Sequence, residues 1–99
     1  MINPKKLKKV FKINGITKYV GVPDSVLKNF LSIIPNKDNF ISNNEGSAVS
    51  YGIGYYLSSK KIPLMYMQNS GLGNAINPLI SIAHKKVYSI PLLLLIGWR

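Results

Sequence analysis

Apolar residues recur along this chain at two alternating periods, and the alternation marks out its elements. Leu7, Val10 and Phe11 fall at i, i+3 and i+4, the spacing of a helix that buries one stripe. Asn3 is placed to cap it with Pro4 at its first position, Ile2 to staple against Leu7, and Gly15 to close it. Residues 19–22 read as a short strand entering Gly21-Val22-Pro23-Asp24-Ser25, where Asp24 or Ser25 caps the next helix. That helix carries Leu27, Phe30, Leu31 and Ile34 at helical spacing and stops at Pro35. A second strand over 40–42 leads through Asn43-Asn44 into a glycine-studded helix over 45–59. A third strand over 63–67 runs into the polar turn Gln68-Asn69-Ser70-Gly71-Leu72-Gly73-Asn74. A fourth helix then places Ile76, Leu79, Ile80 and Ala83 on one face, with Pro78 required in its first turns to avoid a kink. The unbroken apolar run 91–96 has the composition of a central parallel strand.

Strand and helix thus alternate, and the expected fold is α/β: a parallel sheet with helices on both faces. In such sheets ligands sit at the carboxyl ends of the strands. The segments 21–25, 43–45 and 68–74 gather there, with Gly97-Trp98-Arg99 at the end of the last strand.

Composition narrows the picture. The 99 residues make one small domain, 46% hydrophobic and 16% charged, with no cysteine for a disulfide, a thiolate nucleophile or a metal. A reducing compartment is permitted, and the cytoplasm is the expected location. The apolar run 90–98 is far below the roughly 20 residues that span a bilayer, and no signal peptide is legible at the basic amino end. The formal charge of +10 rests on lysine pairs such as Lys5-Lys6 and Lys85-Lys86, with Arg99 the single arginine. Such pairs at helix faces and ends are read as solvated surface, and nucleic acid is not the expected partner.

Two features call for chemistry. Glu45 is one of only three acids, set at the start of an apolar helix where the helix dipole favours it. Gly46, Gly52 and Gly54 follow, each costing roughly 1 kcal/mol inside a helix, which suggests that another backbone or a flat ligand lies close. The Gly71-Leu72-Gly73 turn lacks the Lys-Ser/Thr of a P-loop and the third glycine of a dinucleotide fingerprint, so a phosphate cradle and a tight strand-to-helix turn both remain open. His84 is the single histidine, so Ser25 has no catalytic triad around it, and no metal cluster is legible.

Asn44-Glu45-Gly46-Ser47-Ala48-Val49 with Gly54-Tyr55, and the loop Gly21-Val22-Pro23, resemble the pyrimidine-binding domain of thiamine-diphosphate enzymes. The stretch Gln68 to Leu79, with Ile90-Pro91-Leu92 and Gly97-Trp98-Arg99, resembles the branch that decarboxylates phosphonopyruvate and, next, sulfopyruvate. The likeness runs from Gly15 to Arg99. It implies that Glu45 bonds N1′ of the cofactor's aminopyrimidine and promotes its imino tautomer, and that phosphonopyruvate yields phosphonoacetaldehyde and carbon dioxide. Burial in an apolar setting would raise the glutamate's pKa towards the value such a relay needs. It further implies that Asn69, Ser70 and Gly71 lie near the cofactor and that Ser25 sits where relatives place a substrate-contacting Ser or Asp. Arg99 is either a phosphonate contact or simply exposed. The family carries a further domain with a Gly-Asp-Gly…Asn-Asn motif for Mg²⁺ and the diphosphate, which this sequence lacks. Residues 1–99 are therefore expected to be the amino-terminal part of a pyrimidine-binding domain, inactive without the missing domain or subunit and homo-oligomeric when complete. A non-catalytic basic binding module and an inactive remnant are the expectations of other classes.

Overall fold

Asn3 opens helix α1 (Pro4–Ile13) by accepting the backbone N–H groups of Lys5 and Lys6, and Gly15, at φ +80°, closes it. The computed structural model containing it describes residues 2–99. Leu7 and Phe11 pack inward as their spacing requires, whereas Val10 faces solvent. Strand β1 (Tyr19–Gly21) follows, then a 3₁₀ turn (Ser25–Leu27) and a single α turn, α2 (Lys28–Leu31). The regular second helix expected from the apolar spacing is thus broken in two. Asp24 caps its start by accepting the Val26 N–H, but no side chain caps the second piece.

Strand β2 (Asn39–Ile41) leads to α3 (Glu45–Ser59), capped by Asn44 accepting the Ser47 N–H. Its carboxyl end is closed by Lys60 in the left-handed conformation, a role sequence reasoning would assign to glycine. Strand β3 (Leu64–Gln68) runs through a 3₁₀ turn into α4 (Leu72–Pro78) and a π-helical turn over Leu79–Ala83. Pro78 therefore stands at the last α position, not in the first turns as expected. Lacking an N–H, it leaves the Asn74 carbonyl without its helical donor, and the backbone widens just beyond. The expected face also changes. Ala75 and Pro78 are buried, while Ile76 (52% exposed) and Ile80 (61%) point outward.

Strand β4 (Leu93–Gly97) completes a parallel four-stranded sheet of order β2-β1-β3-β4. The chain winds outward from β1 to β2 and then returns past β1 to β3, so the winding reverses between β1 and β3. Side chains alternate across this sheet. Tyr19, Leu64, Tyr66, Leu93 and Leu95 pack against α1 and α2 through Phe11, Phe30 and Ile34. On the opposite face Val20, Met65, Met67, Leu94 and Ile96 meet α3 and α4. The two inner strands are β1, buried throughout, and β3, buried from Leu64 to Met67. The run read as central, β4, is the edge of this sheet, with Leu93 to Ile96 only half-buried.

Candidate functional site at the strand carboxyl ends

Two side-chain clusters form where all four strands end, and the turn after β3 joins them. In the first, Glu45 begins α3 and its Oε1 accepts the side-chain amide of Asn74 at 2.9 Å. The helices cross closely here. A Cβ on Gly46 would lie 2.8 Å from the Asn74 carbonyl oxygen, the same carbonyl that Pro78 leaves free. The close backbone approach expected of the helix glycines is thus met at Gly46. Gly52 instead accommodates the Met65 side chain, and at Gly54 nothing in the described chain lies within 4 Å.

Gly71 closes the other side of the glutamate. Its backbone conformation (φ −83°, ψ −9°) suits any residue, yet a Cβ there would lie 2.6 Å from both Cγ and Cδ of Glu45 and 2.8 Å from Oε2. Glycine is required by proximity, not by dihedral angle. Glu45 is therefore held between an amide donor and bare backbone. It remains partly exposed, so the apolar enclosure expected around its carboxyl is not furnished by these residues.

The second cluster centres on Asp24, whose side chain is 1% exposed. Nη2 of Arg99 donates to Asp24 Oδ1 at 2.8 Å and also to the Ser25 hydroxyl oxygen. The backbone N–H of Arg99 donates to Asn69 Oδ1 at 3.2 Å. A side chain at Gly97 would collide with the Asp24 carboxylate, so the end of β4 must pass bare over it. Arg99, read in sequence as exposed or phosphonate-binding, is 49% exposed and tied to the ends of β1 and β3. Nothing local announces this, because the partners lie 74 and 75 residues away along the chain.

Of the residues singled out by sequence, Glu45 and Gly71 are in contact range, while Ser25 and Asn69 meet through Arg99. Ser70 stands apart, its hydroxyl accepting from Gln68 Nε2 at 2.7 Å. Sequence reasoning missed Asn74 as the partner of Glu45; its place at the end of the polar turn was the available signal. Beside Asp24 and Ser25 a cleft of about 520 Å³ opens, lined also by Lys28, Asn36, Asn39 and Tyr66. Tyr66 donates its hydroxyl to Asn39 Oδ1 at 2.8 Å, and burial raises the pKa of this phenol.

In doubly wound α/β domains ligands sit at the strand carboxyl ends, and this one holds a partly exposed glutamate against bare backbone there. The chain belongs to the family described as thiamine pyrophosphate enzyme, N-terminal TPP binding domain, which matches residues 6–99. It is 38% identical over 91 residues to sulfopyruvate decarboxylase subunit alpha of Methanocaldococcus jannaschii, covering 89% of this chain and 52% of that protein. It is 33% identical over 88 residues to phosphonopyruvate decarboxylase of Streptomyces viridochromogenes, covering 86% and 21%. Among solved structures, benzoylformate decarboxylase from Polynucleobacter necessarius superimposes with a TM-score of 0.80 at 27% identity, over 98% of this chain and 18% of that one. The chain thus spans about half the length of its sulfopyruvate decarboxylase relative, and less of the others.

Proposed function

We propose that this chain forms the aminopyrimidine-binding part of a thiamine-diphosphate-dependent decarboxylase acting on a small 2-keto acid with a second anionic group. Sulfopyruvate is the first candidate, because the 38% identical relative bears that name. Phosphonopyruvate, expected first from sequence, is the second, supported by the relative at 33%. The observation that carries the reading is Glu45, held between the Asn74 amide and the backbone of Gly71.

When bound, the cofactor would supply the electron sink that accepts the pair left as carbon dioxide departs. The chain's own groups supply placement and proton handling. Asn74 occupies Oε1 of Glu45, and Oε2 has no hydrogen-bond partner among the described residues, so one carboxylate oxygen is available to a pyrimidine ring nitrogen. Gly71, having no Cβ, lets the carboxylate keep this position against its backbone. Ser25, at the cleft mouth, offers a hydroxyl to the substrate. Among the described residues no group of three or more His, Cys, Asp or Glu comes together, so Mg²⁺ and the diphosphate are assigned to a further domain or subunit. A subunit designation in the 52%-covered relative supports this division.

The test is decarboxylation of sulfopyruvate and phosphonopyruvate by the chain assembled with a diphosphate-binding partner, in the presence of thiamine diphosphate and Mg²⁺. Cofactor-dependent release of carbon dioxide is the expected result. Its absence with both substrates, in an assembly that binds the cofactor, overturns the reading.

A further inference from the structure

Helix α1 has a second face that the fold leaves without a partner. Leu7 and Phe11 anchor its inner stripe against the cluster of Tyr19, Phe30 and Ile34. Opposite that stripe Lys6, Lys9, Val10 and Ile13 stand side by side, flanked by Lys5 and Lys12, and all six are exposed. Val10 is 53% exposed and Ile13 74%. Lys8 is turned to the body instead, where its Nζ donates to the Ile33 carbonyl at 3.5 Å.

The lysines stand against local energetics. Lys5 and Lys6 occupy the first turn, where the helix dipole favours acids, and no acid accompanies them. Lys5 and Lys9 are like charges at i, i+4, as are Lys8 and Lys12. No lysine of α1 makes an ion pair among the described residues, whose salt bridge joins Arg99 and Asp24. Helix α2, packed beside α1, adds Lys28 and no acid. Solvation accounts for the lysines but not for the aliphatic side chains between them. Val10 and Ile13 are β-branched residues at exposed helix positions, where they gain neither propensity nor burial.

We propose that the outer face of α1 docks on an anionic lipid surface. Lys5, Lys6, Lys9 and Lys12 meet the headgroups, and Val10 and Ile13 press into the boundary layer between them. Attraction of cations to anionic lipid and burial of apolar area are the two contributions that hold a helix in the interface. Nucleic acid fits this face less well, because its outward side chains include no arginine to fork a phosphate and no aromatic ring to stack a base. Such docking needs no spanning segment, and none of the described helices is long and apolar enough to cross a bilayer. It also leaves Glu45 clear, since α3 covers the opposite face of the sheet.

The experiment follows flotation of the full 99-residue chain with phosphatidylcholine vesicles, with and without phosphatidylglycerol. Binding is expected only where phosphatidylglycerol is present, and it should weaken as salt rises. Lys6→Gln and Lys9→Gln should each weaken it roughly fivefold, the effect of removing one cation near an anionic surface. Ile13→Ser should weaken it by roughly the same factor through lost apolar burial. These positions are exposed, so the fold is retained, as circular dichroism will show. Lys85→Gln removes the same charge beyond α4, on the other side of the sheet, and should bind as the parent does. Polyuridylate in the same buffer is the second arm. Absence of binding to phosphatidylglycerol vesicles, an equal loss from Lys85→Gln, undiminished binding of Ile13→Ser, or tighter binding to polyuridylate through the same lysines overturns the proposal.

Discussion

Replacing Gly71 by alanine separates what the Glu45 cradle does for stability from what it does for chemistry. The added Cβ would sit 2.6 Å from Cγ and Cδ of Glu45, too close for either group to stay. Backbone strain does not enter, because Gly71 has dihedral angles open to alanine. The mobile partner is the glutamate side chain, which swings away and gives up its 2.9 Å bond from Asn74. A hydrogen bond to a charged group contributes about 1.5–3 kcal/mol, and partial exposure puts this one at or below the bottom of that range. The expected loss is therefore about 1 kcal/mol, a fall in Tm of roughly 4–8 °C for a domain of this size. Decarboxylation by the assembled enzyme should fall much further, by a factor of roughly 10² or more, because a misplaced acid loses its proton-transfer geometry. Thermal melting followed by circular dichroism and a carbon dioxide release assay give the two numbers. Loss of stability with turnover near normal would refute the cradle, since Glu45 would then be displaced without consequence.

Other outcomes follow from the same geometry. Arg99→Gln should destabilise by about 2 kcal/mol, read by urea unfolding; this is less than the 3–5 kcal/mol of fully buried pairs because Arg99 is half exposed and Asp24 keeps its bond from Val26. Stability should fall in alkaline solution. Burial raises the pKa of Tyr19 and Tyr66 above the ordinary 10.0, so the folded state holds protons that the unfolded chain releases. Their contribution is intact below about pH 10 and is lost as the pH climbs from there through the higher folded values; Tyr66→Phe should flatten that decline in a denaturant series. The 99-residue chain by itself should bind no thiamine diphosphate in calorimetry with Mg²⁺, because no group of metal-ligating side chains among the described residues could anchor the diphosphate through the ion; saturable micromolar binding would contradict that.

What the sequence disclosed was what short spacings encode. The glycine-rich helix falls at Glu45–Ser59 because its cap, Asn44, and its last apolar turn are local signals. Sheet and helix alternation likewise followed from runs of a few residues. The Pro78 expectation failed because the true start of α4, Leu72, lies inside a polar turn that reads as loop, which pushes the proline to the end. Ile76 and Ile80 were assigned inward because spacing cannot tell which of two apolar stripes meets the sheet; Ala75 and Pro78 do so, being small enough for the close crossing with α3. The second cluster was the least legible. Asp24, Ser25 and Arg99 meet only once β1 and β4 are laid in one sheet on either side of β3, and no local pattern carries that information.

The central claim rests on Glu45 as the acid that handles a proton at the cofactor, and Glu45→Gln tests it most directly. Glutamine keeps the shape and the bond to Asn74 while removing the ionisable group. In the assembled enzyme, thiamine diphosphate should bind this variant with affinity close to that of the parent, while decarboxylation of sulfopyruvate falls by a factor of roughly 10²–10⁴. Turnover at the parental rate, with cofactor bound, would contradict the account.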